Sequence, residues 1–146
     1  MDRSGMTRDE IQAFFDRRQA QYDALDAKGL ASGYADDAVI ESPMLGSHTG
    51  PVAVEKALHG VFSAFKDWTV ETERILIDGD VVAQVATIGG TQIGHFMGLP
   101  PSGKHFRAPF VAIYEMRERK IVHERRIYDF TGLLVQIGVL KAKPAS

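Results

Sequence analysis

With 146 residues, 45% hydrophobic and 25% charged, the chain has the size and composition of one globular domain with an ordinary core. A net charge of −2 leaves no basic footprint for nucleic acid or an anionic membrane surface, and the absence of cysteine excludes disulfides, thiolate catalysis and thiolate metal sites. No stretch approaches the roughly 18 apolar residues of a membrane span, and Met1 to Thr7 lacks an apolar signal core, so a cytoplasmic protein is expected.

Thr7-Arg8-Asp9-Glu10 is a capping box that opens a long first helix, with Ile11, Phe14, Phe15, Tyr22 and Leu25 on one face. Asp26 starts a short second helix through Leu30 to Tyr34, weakened by Gly29 and Gly33. Ala35-Asp36-Asp37 breaks it before a strand from Ala38 to Ser42 that Pro43 ends. Gly50-Pro51 begins a third helix, with proline where its missing N–H costs nothing, and Leu58, Val61, Phe62 and Phe65 form its buried stripe. From Asp67 onward the pattern is antiparallel sheet: Thr69 to Ile77, Val81 to Gly94, His105 to Met116 and Lys120 to Phe130, with a tight turn at Asp78-Gly79-Asp80. Three helices followed by a four-strand meander predict one α+β domain over residues 1–146, its core about 8–138, in which helices roof a curved sheet. A blind pocket is expected between the first and third helices, near Phe62, Phe65, Trp68 and Tyr128.

Period-two alternation places Glu124, Arg126 and Tyr128 on one face of the last strand, and Ile121, His123, Arg125, Ile127 and Asp129 on the other. Only one set can line the pocket. A carboxylate beside a guanidinium in an apolar cone stays ionised and can orient a water or polarise a carbonyl oxygen. The alternative is a structural ion bridge on a solvated strand, in keeping with Arg117, Arg119, Lys120, Arg125 and Arg126 interleaved with Glu115, Glu118 and Glu124. Asp129 precedes the apolar run Phe130 to Val135 and reads either as an acid/base at the pocket floor or as a helix N-cap. His48, His59, His95, His105 and His123 show no i,i+4 or His-x-His pairing, so neither a metal nor another cofactor is expected.

The stretch Gly90-Thr91-Gln92-Ile93-Gly94, the loop Gly98-Leu99-Pro100-Pro101-Ser102-Gly103-Lys104 and the closing Asp129-Phe130-Thr131-Gly132-Leu133-Leu134-Val135-Gln136-Ile137-Gly138 resemble the SnoaL-like polyketide cyclases and ester cyclases. The resemblance implies the cone-shaped α+β fold of nuclear transport factor 2, also described as a cystatin-like α+β barrel, with a curved antiparallel sheet wrapped around three N-terminal helices. It further implies a cofactor-independent enzyme acting on an apolar ketone, ester or epoxide by general acid/base or electrostatic catalysis. A homodimer through the convex sheet face would follow, with Val82, Val111 and Ile113 among its apolar residues. The family comparison favours Glu124, Arg126 and Tyr128 as the pocket-facing set.

The positions that carry chemistry in related enzymes are altered. The acid that works in the cyclases and in limonene-epoxide hydrolases falls at Arg126, and the cyclases' partner histidine at Ala112. Tyr34 to Pro43 resembles the ketosteroid isomerases, but their base falls at Ser42, their oxyanion-hole aspartate at Ala112 and their first-helix tyrosine near Arg18. Gln92 stands where the cyclases often carry histidine, and His95 follows where the long strand meets the Pro-Pro loop. The resemblance therefore implies Arg126, Glu124 and Asp129 as catalytic candidates and Tyr128, Glu41, Ser42, Gln92, His95, Phe62, Trp68 and Ala112 as substrate-binding ones. A catalytically silent binding protein with the same pocket is the competing reading.

Overall fold

In the computed structural model, which describes residues 3–141, the local signals at helix starts are all realised. Thr7 Oγ1 accepts from the Glu10 N–H at 3.1 Å and Glu10 answers from the Thr7 N–H at 3.3 Å, opening α1 (Arg8–Asp23). Asp26 caps α2 (Ala27–Ala31) by accepting from the Gly29 N–H at 2.9 Å. That helix is shorter than expected, because Tyr34 already belongs to β1 (Tyr34–Ser42) and pairs with Ile121 across a parallel ladder. A further strand, β2 (Gly46–Thr49), pairs back onto β1 before Gly50-Pro51 opens α3 (Gly50–Ala64).

Four long strands follow: β3 (Thr69–Asp78), β4 (Val81–Thr91), β5 (His105–Arg117) and β6 (Lys120–Tyr128). The six strands form one curved sheet in the order β2-β1-β6-β5-β4-β3, antiparallel except where β1 runs parallel to β6. Strand β4 leaves the sheet earlier than its sequence suggests, since the N–H groups of Ile93 and Gly94 turn to the Ala64 carbonyl at the end of α3. Strand β6 stops at Tyr128 because Asp129 caps α4 (Phe130–Gln136).

Bulges bend the sheet around the helices. One of them, in the β5–β6 ladder, pairs Glu115 with His123 and then Met116 with Ile121. The extra residue turns Ile121 inward with Glu124, although strict alternation assigns it to the outer face. Val82 also departs from expectation: it pairs with Tyr114 on the helix-covered face and is fully buried there. The convex face instead carries Leu76, Ala83, Val85, Val111, Ile113 and Ile127 in adjacent cross-strand rows. No helix among the described residues is long and apolar enough to cross a membrane.

Candidate active site

A narrow cavity opens between α1, α3 and the concave sheet. Tyr22 enters it from α1, Leu58 and Val61 from α3, Ser42 from the end of β1 and Met44 and Leu45 from the following turn; Trp68, Val70, Ile88, Phe110, Arg126 and Tyr128 complete the wall. Phe65 backs Trp68 with ring centres 5.5 Å apart, whereas Phe62 is buried in the core rather than in the wall. The enclosed space is about 30 Å³. Room of that size holds a water or two, so an aromatic ligand enters only as the wall yields.

Arg126 brings the charge to this cavity. Its Nε donates to Glu124 Oε2 at 2.5 Å, and Tyr34 donates its hydroxyl proton to the other carboxylate oxygen. Behind them Arg18 donates from Nη2 to the Tyr34 oxygen at 3.0 Å and from Nη1 to the Leu30 carbonyl at 3.2 Å. Its guanidinium carbon lies 5.1, 5.6 and 5.8 Å from the ring centres of Tyr34, Tyr114 and Tyr22, a cage of aromatic faces that tolerates a buried cation. The Glu124 side chain is 0% exposed and that of Arg126 11%. A solvated ion bridge is therefore excluded, and the charge-rich hairpin is solvated only on its other face.

Electrostatics keep the network charged. Burial alone would raise the Glu124 pKa, but Arg126 and then Arg18 outweigh it and hold the carboxyl below its ordinary value. Burial works against the Arg126 cation too, yet Glu124 holds it well above the ordinary guanidinium value. Tyr34 and Tyr114 are pushed up by burial, so both remain neutral phenols. The two terminal nitrogens of Arg126 make no hydrogen bond to any described residue. Ala112 stands directly opposite Arg126 on β5, where its small side chain leaves the guanidinium room, but it does not reach the cavity wall.

Tyr128 stiffens the mouth. Its oxygen lies 3.0 Å from Ser42 Oγ and accepts from the Met44 N–H at 3.1 Å, and its ring stacks on Phe110 at 5.9 Å between centres. The Tyr22 hydroxyl makes no hydrogen bond to any described residue.

Several expected site residues stand elsewhere. Asp129 is exposed and accepts from the Gly132 N–H at 2.8 Å, which makes it the N-cap of α4 and keeps it out of the cavity. Glu41 is exposed and bonded to His123 Nε2 at 2.7 Å; it is absent from the inner cavity and borders a separate outer opening with Ser42, Arg125 and Arg126. Gln92 is buried but binds the Gly94 and Pro100 carbonyls and the Ser102 N–H, so it fastens the Pro-Pro loop. His95 is exposed at a separate apolar groove along α3. Arg18, Tyr34, Tyr22 and Met44 were not anticipated. Phe14, Arg18 and Tyr22 recur at a spacing of four, so a charged residue on the apolar stripe of α1 was the available signal. Asp129→Ala is expected to cost about 0.5–2 kcal/mol in chemical denaturation while leaving turnover per folded molecule unchanged.

Among the described residues, no cluster of histidine, aspartate and glutamate is arranged to hold a metal. The family described as SnoaL-like polyketide cyclase matches residues 13–137, and the chain belongs to that family. It is 30% identical, over 106 residues covering 72% of this chain and 77% of the relative, to nogalonic acid methyl ester cyclase of Streptomyces nogalater. Among solved structures it is similar to AclR, a hydroxylase candidate from Streptomyces galilaeus, with 26% identity, a TM-score of 0.81 and coverage of 94% of this chain and 87% of that one. TsrD from Streptomyces laurentii shares the fold at a TM-score of 0.81 and 21% identity, over 92% and 99% of the two chains.

Proposed function

We propose that this member of the SnoaL-like polyketide cyclase family is a small, cofactor-independent cyclase-type enzyme for an enolisable, largely apolar ketone or ester. The observation that supports this most is Arg126. Glu124 holds its guanidinium from behind, and its terminal donors make no hydrogen bond to any described residue, in a cavity otherwise walled by Ser42 and by aliphatic and aromatic side chains. An enolate carries its negative charge on oxygen, and a forked cation already in place stabilises that charge without reorganising. Glu124 is a positioning residue in this scheme, because both of its oxygens are occupied and it has no exposure. The ester named in its 30% identical relative belongs to the same ligand class. Purified protein incubated with nogalonic acid methyl ester and followed by chromatography tests the reading. Cyclised product formed faster than by Arg126→Leu supports it, whereas tight binding without turnover favours the non-catalytic small-molecule-binding alternative.

Leu45 and Val61 border both the inner cavity and the outer groove that carries His48, His95 and Met97, so Leu45 forms a removable partition between them. Leu45→Ala is expected to lower KM by roughly fivefold, corresponding to about 1 kcal/mol of displacement cost. An unchanged or raised KM in steady-state kinetics would place the entrance elsewhere.

A second copy of the chain is the proposed cover for the convex sheet face, where Leu76 is 50% and Ile127 45% exposed. Light scattering is expected to give about twice the 16.1 kDa chain mass at micromolar concentration. A monomer mass there would remove the proposal.

A further inference from the structure

We infer that the cavity takes its ligand already ionised, selecting the delocalised oxyanion of an acidic enol or phenol, such as an enolised 1,3-dicarbonyl, and that the protein removes no proton from it. This rests on the reading that the ligand meets Arg126. The first support is a charge count. Arg18, 4% exposed, and Arg126 are two cations, and among the described residues Glu124 is the one carboxylate bonded into their network. Tyr34 gives its hydroxyl hydrogen to Glu124, and Tyr114 gives its own to Gln84 Oε1 at 2.7 Å, so neither phenol supplies the missing negative charge. Arg18 also borders an outer crevice, but its charged neighbours there, Arg17, Arg119 and Lys120, are cations, and Glu10 is taken up by Arg119 at 2.6 Å. Arg126 borders an outer opening too, with Arg125 and Glu41, but the Glu41 carboxylate is taken up by His123 at 2.7 Å. The bonded cluster thus carries one positive charge in excess. An uncompensated charge in a poorly solvated site is costly, and an anionic ligand completes it.

The second support is the absence of a base. Among the described residues, none that lines the cavity carries a carboxylate or an imidazole. Glu124 stands behind Arg126 with both oxygens engaged, and the His123–Glu41 pair lies on the opposite face of the sheet. Arginine and neutral tyrosine do not accept a proton near neutral pH, so the ligand's proton goes to water as it ionises; nothing is oxidised or reduced. The third is shape. Trp68 and the stacked Phe110 and Tyr128 rings offer flat apolar surface to a conjugated body, while the terminal nitrogens of Arg126 offer forked donors to its oxygen.

The test uses 4-nitrophenol, whose colour reports its ionisation, beside the neutral 4-nitroanisole and the carboxylate benzoate, all with the intact wild-type chain. The expected result is that bound 4-nitrophenol shows phenolate absorbance at least about one pH unit below the free probe. The phenolate should also bind at least tenfold more tightly than either companion. Arg126→Gln should abolish the spectral shift while still binding 4-nitroanisole; the comparison among wild-type probes stands even where that variant folds poorly. Binding of the neutral phenol, stronger binding of 4-nitroanisole, or no phenolate binding at millimolar concentration overturns the inference, and tighter benzoate binding assigns the site to carboxylates instead. If turnover of nogalonic acid methyl ester depends on Arg126 but the probe binds neutral, this inference alone fails; if turnover is indifferent to Arg126, the functional reading fails with it.

Discussion

Replacing Glu124 by alanine is expected to lower folding stability by about 3–5 kcal/mol, because it leaves two buried guanidinium groups without their shared carboxylate. The loss would be read as a shift of the urea midpoint with an unchanged m-value. Glu124→Gln keeps the shape and one acceptor, so it should fall between wild type and Glu124→Ala. The same residue sets an acid limit. Its folded-state pKa lies below its ordinary value of 4.5, so the unfolded chain takes up the proton first as pH falls. The stabilisation from Glu124 is therefore complete above about that ordinary value and is lost as pH drops through the lowered one. In Glu124→Ala this part of the acid dependence should vanish. Equal stability of the variant and the wild type at neutral pH would show that the network contributes nothing to the fold.

Arg126→Leu is expected to produce the largest functional loss. Leucine keeps much of the bulk and removes every donor, so an oxyanion held in the cavity would face only hydroxyls and apolar walls. The expected cost is about 2–4 kcal/mol of transition-state stabilisation, or on the order of 10²–10³ in kcat. Arg126→Lys separates charge from shape: it keeps a cation but loses the planar fork that Glu124 grips through Nε, and should recover only part of the rate. Both variants need a folding control, since Glu124 then relies on Tyr34 and, through it, on Arg18. A kcat within a few-fold of wild type for a folded Arg126→Leu would sink the electrostatic role.

How much of this could be read from the chain differs between local and non-local features. Caps at Thr7, Asp26 and Asp129 each accept from an N–H three residues on, and such local bonds are legible in the sequence. Tyr34 reads as the end of a helix because its true partner, Ile121, lies on a strand far along the chain. The strand Gly46–Thr49 has no alternating apolar pattern, since its pairing with β1 rather than burial of one face holds it. Alternation alone put Glu124, Arg126 and Tyr128 on one face, but their burial could not be judged from a segment so rich in exposed charge. The bulge that turns Ile121 inward is invisible to a strict period of two. Asp129 shows the opposite case: a family pattern kept an acid there, and the residue is spent on a helix cap.

Action through Arg126 on a ligand that supplies its own ionisation would leave its mark on the rate profile. The most direct measurement is the pH dependence of kcat/KM for nogalonic acid methyl ester and for an analogue made more acidic by an electron-withdrawing substituent beside its ionising group. The expected result is an acid limb whose midpoint moves with the acidity of the substrate, because none of the described residues lining the cavity is a carboxylate or an imidazole. A midpoint that stays fixed between the two substrates would assign the proton transfer to a group of the protein and rule out a ligand that ionises unaided.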